Sequence, residues 1–299
     1  MPSGKLQIRC REIRTTDLDA VLNLLRKSDF SGSHAFWVRA LQRLGNRVPP
    51  QGYPQYGLLL EVNQVVVGML ILIATSVTID GVAQVRCNVS CWYVWPAFRP
   101  YGSLLVAQAL KHKEATYINI SPLQHTFDML TAQGYTRYCE GSFLAMPALS
   151  LGKLTARVSA VTSNLDPGAD CSANEIDLMI DHANYGCLSL IVDEGGRRHP
   201  FVFELSRKYG IIGYAYLVYC RDINEFVRFA APLGRFLLRR GFPFVVLDAN
   251  GPIAGLLGRY ADATPKYFKG PNRPRLGDLA YSERAILGLR LAPFIEAER

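Results

Sequence analysis

The sequence predicts a mixed α/β protein in which one order of elements occurs twice. Apolar residues recur at helical spacing directly after capping residues, as in the stretch 18–25 that follows Thr16. Runs rich in β-branched and aromatic residues, bounded by short turns, predict strands between these helices. The third observation is that the order helix, three strands, helix, strand, helix, strand can be read in each half of the chain.

Composition excludes several classes of protein. The chain has 299 residues, of which 49% are apolar and 19% charged, so it is not disordered, collagen-like or a coiled coil. At about 150 residues per domain, this length predicts two domains. We expect a first domain at 1–150, a linker or crossover at 151–172 and a second domain at 173–299.

The charge balance and the cysteines restrict the partners. Lys and Arg number 33 against 25 for Asp and Glu, giving a net charge of +8 that favours anionic partners. The cations are spread out, with local groups at 197–198, 239–240 and 266–275 that indicate a solvated basic face and argue against nucleic acid. Seven scattered cysteines, no signal core and no apolar run of spanning length predict a cytoplasmic protein with free thiols, no membrane span and no metal.

The elements of the first half follow from local signals. Helices are predicted where capping residues precede an apolar stripe, and strands where β-formers alternate or run together. The predicted helices are 16–27, 33–44, 100–111 and 121–133, and the predicted strands are 56–62, 65–79, 84–94, 115–120 and 135–149.

The second half gives a similar series. A capping box formed by Ser172 and Glu175 opens a helix, and Asp222 opens another that Pro232 should kink or split. Strands are predicted at 187–192, 200–205, 211–220 and 244–247. Gly251 and Pro252 predict a further helix, and two extended pieces, 266–269 and 278–289, close the chain.

The stretch 92–105 is the most informative for chemistry. A strand ends there, a turn with Pro96 follows, and a helix begins near Arg99 and Gly102. Free N–H groups and the positive end of the dipole at such a helix start form a site for a phosphate or pyrophosphate. Glycine at 102 would let an anion approach the backbone, while Arg99 supplies a charge and Ser103 a hydroxyl. An ordinary strand-to-helix turn with a solvent-facing arginine is the alternative.

This stretch resembles the acyl-CoA-binding motif of the GNAT acyltransferase superfamily, in which a strand runs into V-x-P-x-x-[Q/R]-x-x-G-x-[G/A] at a helix start. Val94, Pro96, Arg99 and Gly102 match the motif, whereas Leu104 stands at its last, small-residue position. The order of elements extends the resemblance over about residues 6 to 148. It implies two tandem GNAT-like domains with mixed sheets, the C-terminal one degenerate.

The resemblance implies an N-acyltransferase that transfers an acetyl or other acyl group from CoA, its co-substrate, to the amine of a small molecule or peptide. Neutral amine would attack the thioester directly, and a backbone amide would polarise its carbonyl. The implied cofactor-binding residues are Trp92, Tyr93, Val94, Arg99, Pro100, Tyr101, Gly102, Ser103 and Leu104.

Catalytic residues cannot be carried over from the family. Its tyrosine falls here on Leu130 and its asparagine on Leu123, so Tyr93, Tyr101 and His125 are only other donors to consider. A non-catalytic acyl-CoA-binding or scaffold protein therefore stays open, as does a tandem-GNAT transferase that uses aminoacyl-tRNA. In the second half, Asp222 and Glu225 stand where a pyrophosphate would bind and would repel it.

Overall fold

The computed structural model describes residues 6–28, 30–79, 81–150, 156–161 and 170–289. The chain divides into two compact units. Unit 1 is the chain up to Asn119 together with Phe268–Arg273, and unit 2 is Ile120–Tyr267 together with the chain from Pro274 onward. Each unit contains a mixed sheet with helices packed against it.

Unit 1 is built on five neighbouring strands in the order β1-β2-β3-β4-β5, of which the first four are antiparallel and the last pair is parallel. The strands are β1 (Ile8–Glu12), β2 (Gly57–Val62), β3 (Val65–Ile79), β4 (Val82–Val94) and β5 (Thr116–Asn119), and the helices are α1 (Leu18–Lys27), α2 (His34–Gly45) and α3 (Gly102–Ala109).

Burial of the central strands explains why helices pack on the sheet of unit 1. Leu58, Leu59 and Leu60 are buried in succession along β2, which requires cover on both faces of the sheet. Helix α3 packs on β1, β2 and β3, and α1 packs on β3 and β4. The side chain of Ser33 caps α2 by accepting a hydrogen bond from the amide of Phe36 at 3.2 Å, as the sequence predicts. Strand β1 is absent from the predicted elements, because its short sequence carries three charged residues among five.

Unit 2 contains a seven-stranded sheet in the order β13-β7-β12-β11-β10-β9-β8, in which β11 and β12 are parallel. The strands of the unit are β6 (Thr136–Cys139), β7 (Gly141–Ala145), β8 (Arg157–Ala160), β9 (Leu188–Glu194), β10 (Arg197–Lys208), β11 (Ile212–Cys220), β12 (Phe244–Ala249), β13 (Gly258–Ala261) and β14 (Lys266–Lys269), the last of which runs into unit 1. Its helices are α4 (Phe127–Ala132), α5 (Ala173–Asn184), α6 (Ile223–Arg228), α7 (Ala230–Leu238) and α8 (Glu283–Ile286).

Local signals place most elements of unit 2. The capping box is confirmed, since Ser172 accepts from the amide of Glu175 at 3.3 Å and Glu175 accepts from the amide of Ser172 at 3.0 Å. The predicted split is also confirmed, because α6 and α7 are separate helices on either side of Phe229, three residues before Pro232. The helix predicted after Gly251 is wrong, since a turn and β13 occupy that stretch.

The boundary between the units differs from the predicted limit at residue 150. Strand β7 pairs antiparallel with β12 and with β13, so it is part of the sheet of unit 2. Of the predicted linker, 151–155 and 162–169 lie outside the described residues, and 157–160 form β8, paired with β9. The tail predicted as extended at 278–289 contains α8.

Candidate functional site

The parallel pairing of β4 and β5 ends well before β4 does. The register runs through Arg86–Thr116 and Cys87–Tyr117 to Asn88–Ile118. Among the described residues, 89–94 of β4 have no strand partner on the β5 side, and we call this stretch the unit 1 fork. The carboxamide of Asn88 joins the strands where they part, donating to the carbonyls of Val89 at 3.1 Å and Ile118 at 3.4 Å.

A β-bulge lies inside the fork. On β3, Leu70 stands between Met69 and Ile71, which pair with Tyr93 and Ser90, so two residues of β4 oppose one of β3. The extra residue falls at Cys91 and Trp92, and Cys91 has a left-handed φ of 46°. The bulge interrupts the regular alternation that the sequence predicts for 84–94, because a period of two cannot continue through an inserted residue.

The backbone of the fork presents polar groups away from β3. The amide of Trp95 donates to the carbonyl of Val67 in β3 at 2.8 Å. Since successive residues of a strand direct their N–H groups to opposite sides, the N–H of Val94 is directed to the side that β5 has left. The fork therefore offers backbone groups of Trp92 and Val94 to a ligand that lies along it as an added strand.

The turn after the fork is a 3-10 helix, Pro96–Tyr101, that continues into α3. The amide of Gly102 donates to the carbonyl of Arg99, so the helical turn begins earlier than the predicted start at residue 100. Arg99, Pro100, Ser103 and Leu104 are exposed, Leu104 by 43%, and Tyr101 is half-buried. Residues 82–113 contain no acidic side chain, so the field around this turn favours an anion.

Gly102 lies at the contact between α3 and the fork. It is buried, and a Cβ built on it would lie 3.2 Å from Cζ2 of Trp92 and 3.5 Å from Cγ2 of Val94. Its missing side chain lets α3 pack closely on the fork. Its neighbours Arg99 and Ser103 are exposed.

Lys27, at the end of α1, is a neighbour of the site that the sequence analysis missed. Its ammonium lies 4.6 Å from the centroid of the Trp95 ring, and its carbonyl accepts a hydrogen bond from the hydroxyl of Tyr93 at 3.3 Å. The end of α1 thus places a second cation, in addition to that of Arg99, near the end of β4. The contact could not be predicted from the sequence, because Lys27 and Trp95 are far apart in it. The only sequence signal was the basic last turn of α1.

The structure brings the predicted cofactor residues together in unit 1 as one strand end, turn and helix start. Of the residues considered from the family pattern, Leu123, His125 and Leu130 lie in unit 2. Leu130 is buried and His125 is exposed. Within the described residues, no group of three or more metal-binding side chains occurs.

Four of the seven cysteines are disfavoured as nucleophiles at neutral pH. Burial raises the pKa of Cys10 to about 11 and that of Cys87 to about 12. It raises the pKa of Cys139 and Cys220 to about 12 as well. These thiols are therefore protonated, whereas a nucleophile would need the thiolate.

Unit 2 contains a second fork. The parallel pairing of β11 with β12 ends at Tyr216–Val246, and a bulge at Val218 follows, since Leu217 pairs with Phe203 and Tyr219 with Val202. We call residues 217–220 the unit 2 fork. Here the chain itself lies along the strand, because the amide of Leu279 donates to the carbonyl of Val218 at 2.8 Å and the amide of Cys220 donates to the carbonyl of Gly277 at 2.9 Å.

Further groups close the unit 2 fork. Tyr219 forms an antiparallel bridge with Asp278. The guanidinium of Arg275 donates to the carbonyl of Cys220 at 2.5 Å. The side chain of Asp222 caps α6 by accepting from the amide of Asn224 at 2.7 Å, so a carboxylate occupies the helix start where unit 1 has an acid-free turn.

The fold is that of the GCN5-related N-acetyltransferases. Solved structures with this fold include an N-acetyltransferase of this type from Kribbella flavida, with a TM-score of 0.56, 14% identity, and coverage of 90% of this chain and 72% of that one. One from Anabaena variabilis has a TM-score of 0.55 at 12% identity, covering 88% and 72%. A Pyrococcus horikoshii protein assigned as an acetyltransferase has a TM-score of 0.57 at 10% identity, covering 92% and 93%.

Sequence comparison adds no closer relative. No family model matches the chain, and no curated protein matches it. The structural matches span most of the chain, so they support the whole two-sheet architecture that the sequence predicts. No helix among the described residues is long and apolar enough to cross a membrane.

Proposed function

We propose that the chain is an acyl-CoA-dependent N-acyltransferase that binds acyl-CoA along the unit 1 fork and acylates the amine of a small molecule or peptide. The observation that carries this proposal is a comparison between the N–H and C=O groups of the unit 1 fork and those of the unit 2 fork. Tyr93 and Tyr219 are each the first paired residue after a bulge, so Val94 corresponds to Cys220 and Trp92 to Val218. In unit 2, the groups of Val218 and Cys220 bind an extended segment, which supports an extended ligand at Trp92 and Val94.

The pantetheine arm of acyl-CoA is such an extended ligand, with two amides that can pair with a strand edge. Residues 89–94 span about 20 Å at 3.3 Å per residue, which is comparable with the length of that arm. The pyrophosphate would then lie at the turn that follows, near Arg99 and Ser103. The charge of Arg99 and the hydroxyl of Ser103, both at the turn, favour this direction of binding.

The reaction needs little from side chains. The nitrogen of a neutral amine attacks the thioester carbon, a C–N bond forms, and the C–S bond breaks. A backbone N–H of the fork stabilises the negative charge that develops on the carbonyl oxygen. The amine loses its proton to a base and the departing thiolate gains one, and we assign no side chain to either transfer.

The first test is binding of acetyl-CoA, measured as a thermal shift. Ligand at a hundred times its Kd raises Tm by about 4 °C in a chain of this size. Ser103→Glu should abolish the shift, because it adds a negative charge at the first turn of α3. That charge also stabilises the helix start, so a loss of binding cannot be ascribed to unfolding.

Gln108→Glu is the matched control, because it places the same charge on an exposed position of the same helix, more than a turn away. It should keep the full shift. If Ser103→Glu and Gln108→Glu behaved alike, the pyrophosphate would not lie at this turn. Calorimetry should find a single acyl-CoA per chain, since the unit 2 fork is occupied by residues 277–279.

The second test separates an enzyme from a non-catalytic binder. Purified protein, acetyl-CoA and a panel of small amines and peptides are mixed, and release of the CoA thiol is followed. Release that depends on one amine class supports the proposal and identifies the acceptor. Binding without release from any amine would show instead an acyl-CoA-binding protein that has lost the chemistry.

A further inference from the structure

The turn between β10 and β11 carries an exposed apolar tip. Tyr209 is 74% exposed, Ile211 is 79% exposed and Ile212 is 49% exposed, although side chains of this size are usually covered. Lys208 pairs with Ile212, and the amide of Ile211 donates to the carbonyl of Lys208 at 3.1 Å, so a β-turn with Tyr209 and Gly210 at its centre lies at the end of the hairpin. These three side chains therefore protrude at the apex of a hairpin in unit 2.

Tyr209 is strained as well as exposed. Its φ is 53° and that of Gly210 is 73°, which is the pattern of a type I′ turn. Asn or Gly is the residue that suits the first of these positions, and tyrosine there destabilises the fold by about 1 kcal/mol. The ring contacts the ammonium of Lys208 at 5.2 Å but is not buried.

Cations surround the tip. The loop after α7 lies beside it, because a Cβ on Gly213 would lie 1.9 Å from the carbonyl oxygen of Gly241. The guanidinium of Arg207 lies 5.1 Å from the ring of Phe242 in that loop. Arg239 and Arg240, which the sequence analysis interpreted as a solvated face, are exposed at the end of α7. Residues 205–213 and 229–247 contain no acidic residue.

We propose that this basic–apolar tip, formed by Arg207, Tyr209, Ile211, Ile212, Arg239 and Arg240, binds the surface of an anionic lipid bilayer. The apolar side chains enter the boundary between headgroups and acyl chains, and the arginines contact the lipid phosphates. Tyrosine suits this boundary, since its ring is apolar and its hydroxyl polar.

The shape and composition of the tip favour a bilayer over other anionic partners. A hairpin apex is a protrusion, and a bilayer can yield to a protrusion without a preformed pocket. Nucleic acid would use the arginines and stack on Tyr209, but it offers nothing apolar to Ile211 and Ile212. The isoleucines therefore distinguish a lipid surface from a polyanion.

The test is flotation of the purified full chain with vesicles of phosphatidylcholine, alone or mixed with phosphatidylglycerol. Wild type should float with the mixed vesicles only, and high salt should weaken its binding. I211S/I212S should lower the partition coefficient about tenfold or more, and R239E/R240E should lower it by a similar factor.

Matched controls exist elsewhere on the chain. V48S/V82S removes two exposed valines from unit 1, and R157E/R197E reverses two exposed arginines near the opposite end of the sheet of unit 2. Both should float as wild type does. If the controls lost binding to the same extent as the tip variants, the tip would not be the contact.

Two further results sharpen the test. Tyr209→Asn creates the favoured Asn-Gly turn, so it should raise Tm while it weakens flotation, a combination that a purely structural residue would not give. If R239E/R240E lost binding both to anionic vesicles and to a DNA duplex, while I211S/I212S bound both as wild type does, the surface would be a general polyanion site and the lipid proposal would be overturned. Failure of wild type to float with anionic vesicles would also overturn it.

Discussion

In unit 1 the last strand of the antiparallel run parts from its parallel neighbour after Asn88, and in unit 2 the corresponding strand parts after Tyr216. Each has a one-residue bulge just beyond the parting. In unit 2, residues 277–279 fill the opening with main-chain hydrogen bonds, and Asp222 caps the next helix. One backbone arrangement thus serves as part of the core in unit 2 and, we propose, as a ligand site in unit 1.

The two forks also differ in the side chains that join the two strands where they part. In unit 1 the joining group is the neutral carboxamide of Asn88. In unit 2 the buried hydroxyl of Tyr216 donates to Asp248, whose carboxylate lies 2.8 Å from the ammonium of Lys266. Burial by itself would lower the pKa of Lys266, but the negative charge of Asp248 and the neighbouring Tyr216 raise it well above the ordinary value. Unit 2 therefore depends on charges where unit 1 depends on a neutral hydrogen bond.

The largest expected effect comes from breaking that ion pair. Lys266→Met should destabilise unit 2 by about 3–5 kcal/mol, because it leaves the buried carboxylate of Asp248 without its ion-pair partner. The raised pKa of Lys266 means that the pair stabilises the wild type below the ordinary lysine pKa and loses this contribution as pH rises through the raised value. Urea unfolding followed by circular dichroism measures the loss.

The three tryptophans, Trp37, Trp92 and Trp95, all lie in unit 1, so their fluorescence reports that unit separately. Lys111→Met, at an exposed lysine of unit 1, is the control and should change stability by less than about 0.5 kcal/mol. A Lys266→Met variant as stable as this control would show that unit 2 does not depend on buried charge. The double variant Asp248→Leu/Lys266→Met should recover part of the loss, since no charge then stays unpaired.

The contrast between the forks shows what a sequence can predict. Local signals sufficed for the helix starts at Ser33 and Ser172 and for the strand, turn and helix around Pro96, because capping and turn chemistry act over a few residues. The motif at Val94 and Gly102 sufficed to predict the fold. The candidate cofactor residues follow from the same stretch.

Long-range contacts could not be predicted in this way. The bulge at Cys91 has no compositional signal, since nothing about a cysteine favours a left-handed φ. The occupation of the unit 2 fork joins Val218 to Leu279, and the cation of Lys27 reaches Trp95 from α1. The helix expected after Gly251 failed for a related reason, because pairing of β13 with β7 overrides the local preference.

A second comparison uses one glycine that packs against each fork. Gly277 has a φ of 76°, and a Cβ on it would lie 2.7 Å from Sγ of Cys220 and 3.0 Å from Cδ1 of Ile223. Gly277→Ala should therefore destabilise unit 2 by about 2–3 kcal/mol. Gly102 has a helical φ of −60° and a single close neighbour, Trp92, so Gly102→Ala should destabilise unit 1 by less than about 1 kcal/mol.

Urea unfolding of both variants, followed by circular dichroism and tryptophan fluorescence, measures the difference. The effect of Gly277→Ala should appear in circular dichroism, and that of Gly102→Ala should appear in both signals. Equal losses in the two variants would mean that the forks are packed alike, which would weaken the assignment of one to the core and the other to a ligand.

The smallest expected effect concerns how each fork strand is held to a helix of its own unit, α1 in unit 1 and α5 in unit 2. In unit 1 the tie is the neutral bond from Tyr93 to the carbonyl of Lys27. In unit 2 it is an ion pair, since Arg221, directly after β11, donates to Glu175 of α5 at 2.6 Å. Burial by itself would raise the pKa of Glu175, but the hydrogen bond from Arg221 lowers it below the ordinary value.

A carboxyl group with a lowered pKa stabilises the folded chain above its ordinary pKa and loses that contribution as pH falls through the lowered value. Glu175→Gln should therefore destabilise unit 2 by about 1 kcal/mol at neutral pH, a figure that allows for solvent screening, and the difference from wild type should vanish in acid. Asp177→Asn, at an exposed position of the same helix, should show no such dependence on pH. Thermal unfolding of the three proteins from neutral pH to acid provides the comparison. If the difference in stability between Glu175→Gln and wild type stayed constant with pH, the contact between Arg221 and Glu175 would not depend on charge. The fork strand of unit 2 would then be held to its helix by an uncharged contact, as in unit 1.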